Sequence, residues 1–429
     1  MNYLASHVSH LVSLLPTQGN FGDTSQLAFL LFSACFTSPE FSLQGGVAPT
    51  RFLPYPLRDN VLINADPYAD HLAEPVWHAD PMPINAAWLC REWIEGAEIH
   101  NLEGVLPALS AGMLREMYRN LGWTLQGLAS IAAAAADKRT PNSSRPMSLR
   151  TFDTTLDAIA KLPRAVRRLS FRVQEGLPDD VLWLTGLCPP GSPYRLPRHE
   201  ILALRSSGLG SPEALMVGSK EADIARLGAF ARVKPDPQAK ANWIRDACRE
   251  WKANQRKRAA ERQTKRAKDC VRVDLIRQYY ASKGEKFERV LEEVFAVLKI
   301  DFLKLDEKGK TGAPDYLVRL KDSPAIVMEL KSREGDKLID YNNAVEVLAA
   351  SEVHGHKEAF CVTLCHPGVD PSVPLVISAC GRLSVVESTD LGEALIRYCE
   401  GTLTDTQLWR WLATPGQALV ADLPFREYG

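Results

Sequence analysis

The sequence predicts a multidomain chain whose N-terminal half is mostly α-helical and whose C-terminal part is an α/β domain. Three observations carry that expectation. The 429 residues exceed one ordinary core, at about 150 residues per domain. Apolar residues recur at helical spacing from Asn85 onward, and a long charged, helix-favouring stretch ends at Lys268,. After Gly284 an amphipathic pattern gives way to short apolar runs bounded by Gly, Pro and Asp, as the strands of a sheet are,. Hydrophobic residues make up 45% and charged residues 24%, the balance of a globular protein and not of a disordered or fibrous one.

No run reaches the roughly 18 uncharged apolar residues that span a bilayer. No Lys or Arg precedes the apolar residues of MNYLASHVSHLVSLLP, so a secretion signal is not expected either,. A cytoplasmic location without a membrane partner follows. The nine cysteines are scattered without a CxxC pair, as reduced buried thiols are, and Cys361, Cys365, Cys380 and Cys399 lack the short repeated spacing of an iron–sulfur site. The net charge of −1 names no partner by itself.

Residues 1–83 hold helical patterns at 3–15 and 24–34. A passage containing Pro54, Pro56, Pro67, Pro75, Pro81 and Pro83 follows, too proline-dense for long helices and expected to lie as an extended strap,. Residues 84–235 form a helical region. INAAWLCREWIEG reads as a helix stopped at Gly96, and LPALSAGMLREMYRNLGWTLQGLASIAAAAA as two helices meeting near Gly122,. Several short helices are expected through 148–187, with basic faces at Arg164, Arg167, Arg168 and Arg172. LPRHEILALRSSGLGSPEAL and SKEADIARLGAF follow. The turn at 206–210 fits either a phosphate-holding helix–hairpin–helix or a plain connection, glycine being also the usual helix stop.

Taken together, AWLCREWIEG, LPALSAGMLREMYRNLGWTLQGLASIA and LPRHEILALRSSGLGSPEAL resemble the helical ratchet region of superfamily 2 DNA helicases, and LLFSACFTSPEF at 30–41 resembles the segment leading into it. The resemblance covers about residues 1–230. It implies that this half guides or clamps a DNA strand, with a basic inner face gripping the backbone. The motor is missing: Gly309-Lys310-Thr311 lacks the glycine five residues earlier that a phosphate-binding loop needs, Lys304 standing there,. No ATP binding is expected of this chain. A helicase or ATPase partner on another polypeptide, or on another part of a longer one, is implied instead.

Residues 236–283 form a basic connector. Within 241–268 ten basic residues face three acidic ones, a local balance of +7. No Gly or Pro interrupts the run, so a long exposed helix is expected. Its Arg256, Lys257, Arg258, Arg262, Lys265 and Arg266 are the candidate DNA contacts. A charge run can also be a merely solvated face, but each phosphate neutralised releases counterions.

In residues 284–402, positions 287, 290, 291, 294, 295 and 298 make one apolar stripe, with Glu288 at its border,. KIDFLKL reads as a strand, KGKTGAP as a turn, and DYLVRL as a strand starting at Asp315. SPAIVMELK then puts Glu329 and Lys331 on one face with Ala325 and Val327, opposite Ile326, Met328 and Leu330. Two ionisable groups at the end of an apolar strand are costly to bury without a task. A helix is expected at 340–351, which could turn Asn342 or Asn343 toward DNA, then strands at AFCVTL and PLVISAC and a helix from Thr389. His354 and His356 lack a nearby third ligand for a metal. Residues 403–429 read as a Trp-rich helix and a tail.

The order G-x-x-F-E, G-x-P-D and E-x-K resembles the PD-(D/E)XK nuclease superfamily, in particular its Mrr-type restriction-endonuclease branch, over about residues 284–400. It implies a restriction-endonuclease-like α/β fold with a central mixed sheet flanked by helices, and a catalytic set of Glu288, Asp315, Glu329 and Lys331. Hard oxygen ligands from Asp315, Glu329 and Glu288 suit Mg²⁺ or Mn²⁺. The expected function is a metal-dependent DNA endonuclease or nickase subunit working with a helicase in a prokaryotic anti-phage or restriction system. Two other readings stand beside it: a non-catalytic DNA-binding adaptor that scaffolds a helicase, and an RNA-processing enzyme.

Overall fold

The computed structural model describes residues 1–15, 24–38, 41, 63, 65–72, 82–105, 109–150, 153–188, 195–216, 224–225, 237–267, 271–306, 312–335 and 337–423. Of the expected strap, Pro54, Pro56, Pro75 and Pro81 lie outside them, as do the turn at 307–311 and most of SKEADIARLGAF. The chain divides into two compact units, 1–186 with 195–210, and 187–194 with 211–429. The expected segments 1–83, 84–235, 236–283, 284–402 and 403–429 are a finer division than these two units.

The first unit is helical: α1 (Asn2–Ser6), α2 (Val8–Ser13), α3 (Ser25–Phe36), α4 (Met82–Ile94), α5 (Ile99–Glu103), α6 (Ala111–Ala136), α7 (Asp153–Glu175) and α8 (Arg198–Ser206). Six successive residues of α3, Leu27 to Phe32, are buried, as expected of a helix enclosed on all sides. Gly96 at φ +107 ends α4 as expected,.

Gly122 does not break α6. A Cβ there would lie 2.8 Å from Gln174 Cγ on α7, and Ser170 Oγ donates to the Gly122 carbonyl at 2.6 Å. The glycine marks the closest approach of two helices, not a stop. The several short helices expected next are one helix, α7, with Pro163 inside it. Leu156, Ile159, Leu162, Val166, Leu169 and Val173 form an unbroken buried stripe, and that packing carries the helix through the proline.

Arg164, Arg167 and Arg168 of α7 are exposed. Arg172 is not part of a basic face: it is 2% exposed, bonded to Glu95 Oε1 at 2.7 Å and Thr24 Oγ1 at 2.6 Å. After α8 the chain turns at Gly208, φ +74, with Leu209 N–H donating to the Leu204 carbonyl at 2.8 Å. That is a helix C-terminal turn. The division between units falls just after it, favouring the plain-connection reading.

The second unit contains α9 (Pro212–Met216), α10 (Pro237–Arg266), α11 (Val273–Ala281), α12 (Glu285–Leu298), β1 (Asp301–Lys304), β2 (Tyr316–Arg319), β3 (Ile326–Ser332), α13 (Tyr341–Val353), β4 (Phe360–His366), α14 (Ser372–Ile377), β5 (Leu383–Glu387), α15 (Ser388–Cys399), α16 (Asp405–Leu412) and β6 (Gly416–Ala418). The six strands form one mixed sheet in sequence order, antiparallel from β1 to β3 and parallel from β3 to β6. The alternation expected for β3 holds. Ile326 and Met328 pack with Phe287, Leu291 and Phe295 of α12, and Val327 packs with Leu317, Cys361, Ala344 and Val347 on the side covered by α13.

Three expectations are corrected. PLVISAC is not a strand: prolines 371 and 374 start α14, their fixed φ suiting a helix's first turn, and the strand beyond it is β5. Of residues 403–429, those through 423 are described and are not an appended tail, since β6 pairs with β5 and Leu408, Trp411 and Leu412 of α16 share the core of Phe295 and Met328. Finally α10, although 30 residues long, is exposed on one side only: Ala241, Ile244, Ala247, Cys248 and Gln263 are buried. Among the described residues no helix is long and apolar enough to cross a membrane.

Candidate active site

The site is assembled where β2 begins and β3 ends. Pairing of Tyr316 with Met328 puts Asp315 one step further along, at the level of Glu329. The Leu330 backbone N–H donates to Asp315 Oδ2 at 2.6 Å, and the Leu305 N–H donates to the Asp315 carbonyl at 2.8 Å. Main chain and side chain of Asp315 are therefore both fixed by neighbouring strands. Lys331, two residues along from Glu329 on the same face, donates to Glu329 Oε1 at 2.9 Å and to Glu346 Oε2 at 2.6 Å. Three of the four residues expected from the sequence, Asp315, Glu329 and Lys331, are thus brought together.

Glu288 stands one turn into α12, whose start is tied to the end of β3 by the Gly284 N–H donating to Ser332 Oγ at 2.8 Å. Gly284 has φ +54, a conformation that favours glycine. The Glu288 carboxylate lies 3.7 Å from Lys304 Nζ, which also holds Glu292 at 3.0 Å. The Tyr316 hydroxyl donates to that same Glu292 at 2.8 Å. After burial and the Glu329 charge, the Glu288 charge adds a smaller upward push on the Asp315 carboxyl. Among the described residues no three His, Cys, Asp or Glu side chains converge as a metal-holding group.

Burial, with the Glu329 charge second, pushes the Asp315 carboxyl up to about 7. Burial also raises Glu329 above the usual carboxylate range. Lys331 stays above the ordinary lysine value although burial opposes its charge, because Glu346 and Glu329 bond to it. Glu329 Oε2 is buried with no hydrogen-bond partner. An unpartnered carboxylate oxygen beside a second acid that resists ionising is a pair a cation would neutralise, and the donors are the hard oxygens that Mg²⁺ and Mn²⁺ take,. Asp315 and Glu329 would hold such an ion, with Glu288 in the outer field.

Of the candidate DNA contacts, Lys257, Arg258, Arg262 and Lys265 are exposed on one side of α10. Arg256 and Arg266 belong elsewhere. Arg256 bonds both oxygens of the buried Glu387, at 2.8 and 2.7 Å, and Arg266 bonds Glu393 at 2.8 Å and Glu400 at 2.9 Å. Asn343 is likewise used locally, its side chain donating to Asp340 Oδ1 at 2.8 Å as part of the α13 cap.

Sequence reasoning missed Glu346, Lys304 and an aromatic pair in the helical unit. Trp123 of α6 is 71% exposed and Phe171 of α7 38%. Each is one residue beyond the Gly122–Ser170 contact, and across two antiparallel helices that offset turns both rings to the same face. Arg119, Arg164 and Arg167, exposed along that face, accompany them. The exposed Trp-Arg spacing on α6 was a signal available in the sequence.

Comparison with protein-family models and with curated proteins found no match to this chain.

Proposed function

We propose that the second unit is a metal-dependent phosphodiester hydrolase, acting as a DNA endonuclease or nickase with the restriction-endonuclease-like fold that the PD-(D/E)XK resemblance implies. One observation carries the reading: a buried, unpartnered Glu329 oxygen beside Asp315, with Lys331 bonded to that same glutamate. Asp315 and Glu329 would hold the cation, and the Lys331 ammonium, bonded to Glu329, orients water and stabilises charge developing on a phosphate oxygen,. A bound Mg²⁺ or Mn²⁺ ion supplies Lewis-acid polarisation of the phosphate and a more acidic water. The packed sheet behind Asp315 and Glu329 keeps the two carboxylates fixed.

The helical unit guides the strand. Trp123 and Phe171 offer base-sized stacking surfaces beside Arg119, Arg164 and Arg167, a combination suited to single-stranded nucleic acid. A helicase or ATPase motor, on another polypeptide or on another part of a longer one, supplies translocation, in a prokaryotic anti-phage or restriction setting. The test is Mn²⁺-dependent cleavage of plasmid and oligonucleotide DNA by the purified chain, with and without the Asp315→Asn substitution. Failure of the parent to bind Mn²⁺ while it still binds DNA would favour the adaptor reading. Cleavage of RNA but not DNA would favour the RNA-processing one.

A further inference from the structure

Lys331 is held by a carboxylate that the E-x-K pattern does not contain. Glu346 sits in the second turn of α13, where its Oε2 accepts from Lys331 Nζ at 2.6 Å, closer than the 2.9 Å to Glu329. The position is set by the fold. Asp340 caps α13 by accepting from the Asn343 N–H at 3.1 Å, Ala344 and Val347 anchor its buried side, and Thr363 Oγ1 donates to the Ala344 carbonyl at 2.7 Å. Thr363 is the β4 partner of Glu329 in the sheet register. The clamp that seats α13 therefore stands beside the acid that Lys331 shares.

The two acids differ in surroundings. The Glu329 side chain is 13% exposed and that of Glu346 is 55% exposed. An ammonium has three N–H donors, and two of them go to these carboxylates. Lys331 Nζ approaches Glu329 at Oε1, 2.9 Å away, while Glu329 Oε2 is buried with no hydrogen-bond partner among the described residues. A lysine with no second anchor would settle over both oxygens of the more buried acid, where the attraction is less screened.

We propose that Glu346 is a positioning residue that draws Lys331 partly off Glu329, keeping one Glu329 oxygen open for a divalent cation and the third lysine N–H free for a phosphate oxygen. This inference rests on the hydrolase reading above. It makes Lys331 and the cation competitors for Glu329, with Glu346 as arbiter. Removing Glu346 closes the site with the chain's own lysine, while removing the lysine as well reopens it.

The experiment is Mn²⁺ titration of the full chain, read by electron paramagnetic resonance and by calorimetry. The set comprises the parent, Asp315→Asn, Glu346→Gln, Glu346→Asp and the double substitution Glu346→Gln with Lys331→Met. Thermal midpoints are recorded for each. The expectation is that Glu346→Gln weakens Mn²⁺ binding about 10-fold or more, the scale on which outer partners of ligands act. Glu346→Asp should recover part of the loss, and the double variant should return close to parental affinity with no matching rise in thermal midpoint. A merely structural role would not give that reversal.

Parental Mn²⁺ affinity in Glu346→Gln, with Asp315→Asn defective, overturns the inference and leaves the hydrolase reading standing. A double variant as weak as Glu346→Gln also overturns it, showing that only the lost negative charge mattered. If the parent itself takes up no Mn²⁺, the metal reading falls and this inference falls with it.

Discussion

Arg256 grips Glu387 through two hydrogen bonds, at 2.8 and 2.7 Å, with the carboxylate 6% exposed. Glu387 ends β5, and its Oε1 also accepts from the Val369 N–H at 3.2 Å. The pair ties α10 to the C-terminal end of β5, an interior strand of the sheet. Arg256→Ala leaves a buried carboxylate uncompensated, which costs about 3–5 kcal/mol. Urea denaturation should show that loss, while Lys257→Ala, on the exposed side, should stay within about 0.5 kcal/mol of the parent. Equal effects from both substitutions would contradict this division of the helix.

The exposed cations of α10 give a second prediction. Replacing Lys257, Arg258, Arg262 and Lys265 together by Ala should lower the slope of log affinity for duplex DNA against log salt by about 3 to 4, at close to 0.9 per phosphate contact. Fluorescence anisotropy across a salt series measures it. An unchanged slope would assign these residues to a solvated face.

Gly122 provides a packing test. Alanine favours a helix over glycine by about 1 kcal/mol, but a Cβ here meets Gln174 Cγ at 2.8 Å and the Ser170 carbonyl at 3.4 Å. Overpacking of this kind costs about 1–3 kcal/mol. Gly122→Ala should therefore lower the thermal midpoint of the helical unit, and a stabilised variant would show that α6 and α7 can separate at no cost.

His366 sets a pH dependence. It is 5% exposed, stacks on Phe287 at 4.8 Å and exchanges a hydrogen bond with Ser388 Oγ at 2.8 Å. Burial, with the Lys283 charge second, lowers its pKa from 6.5 to about 4. A histidine depressed in the folded state favours folding above its unfolded value, and that contribution is lost as pH falls from about 6.5 toward about 4. Denaturation at pH 7 and pH 5 should show a smaller difference in His366→Gln than in the parent.

Much of the second unit was legible because local pattern and fold agree. The stripe of α12, the alternation of β3 and the acids beside it all follow from side-chain periodicity over a few residues. What was missed depends on distant partners. PLVISAC has the apolar content of a strand, and only its leading Pro374 and Pro371 three residues earlier point to α14. Gly122 carries the same letter whether it ends a helix or admits a neighbour. Arg256 and Arg266 look like phosphate contacts until Glu387, Glu393 and Glu400 arrive from elsewhere in the chain. Glu346 lies 15 residues beyond Lys331, and no local pattern announces that contact.

Asp315, Glu329 and Lys331 are proposed to form a cation-dependent cutting site. Its most direct measurement is nicking of supercoiled plasmid in Mg²⁺ or Mn²⁺ by the parent, Asp315→Asn and Lys331→Ala, with DNA affinity recorded in parallel. The parent should cleave, with cleavage abolished by chelation and reduced about 100-fold or more in both variants, and DNA binding retained. Cutting by both variants at the parental rate would contradict this assignment.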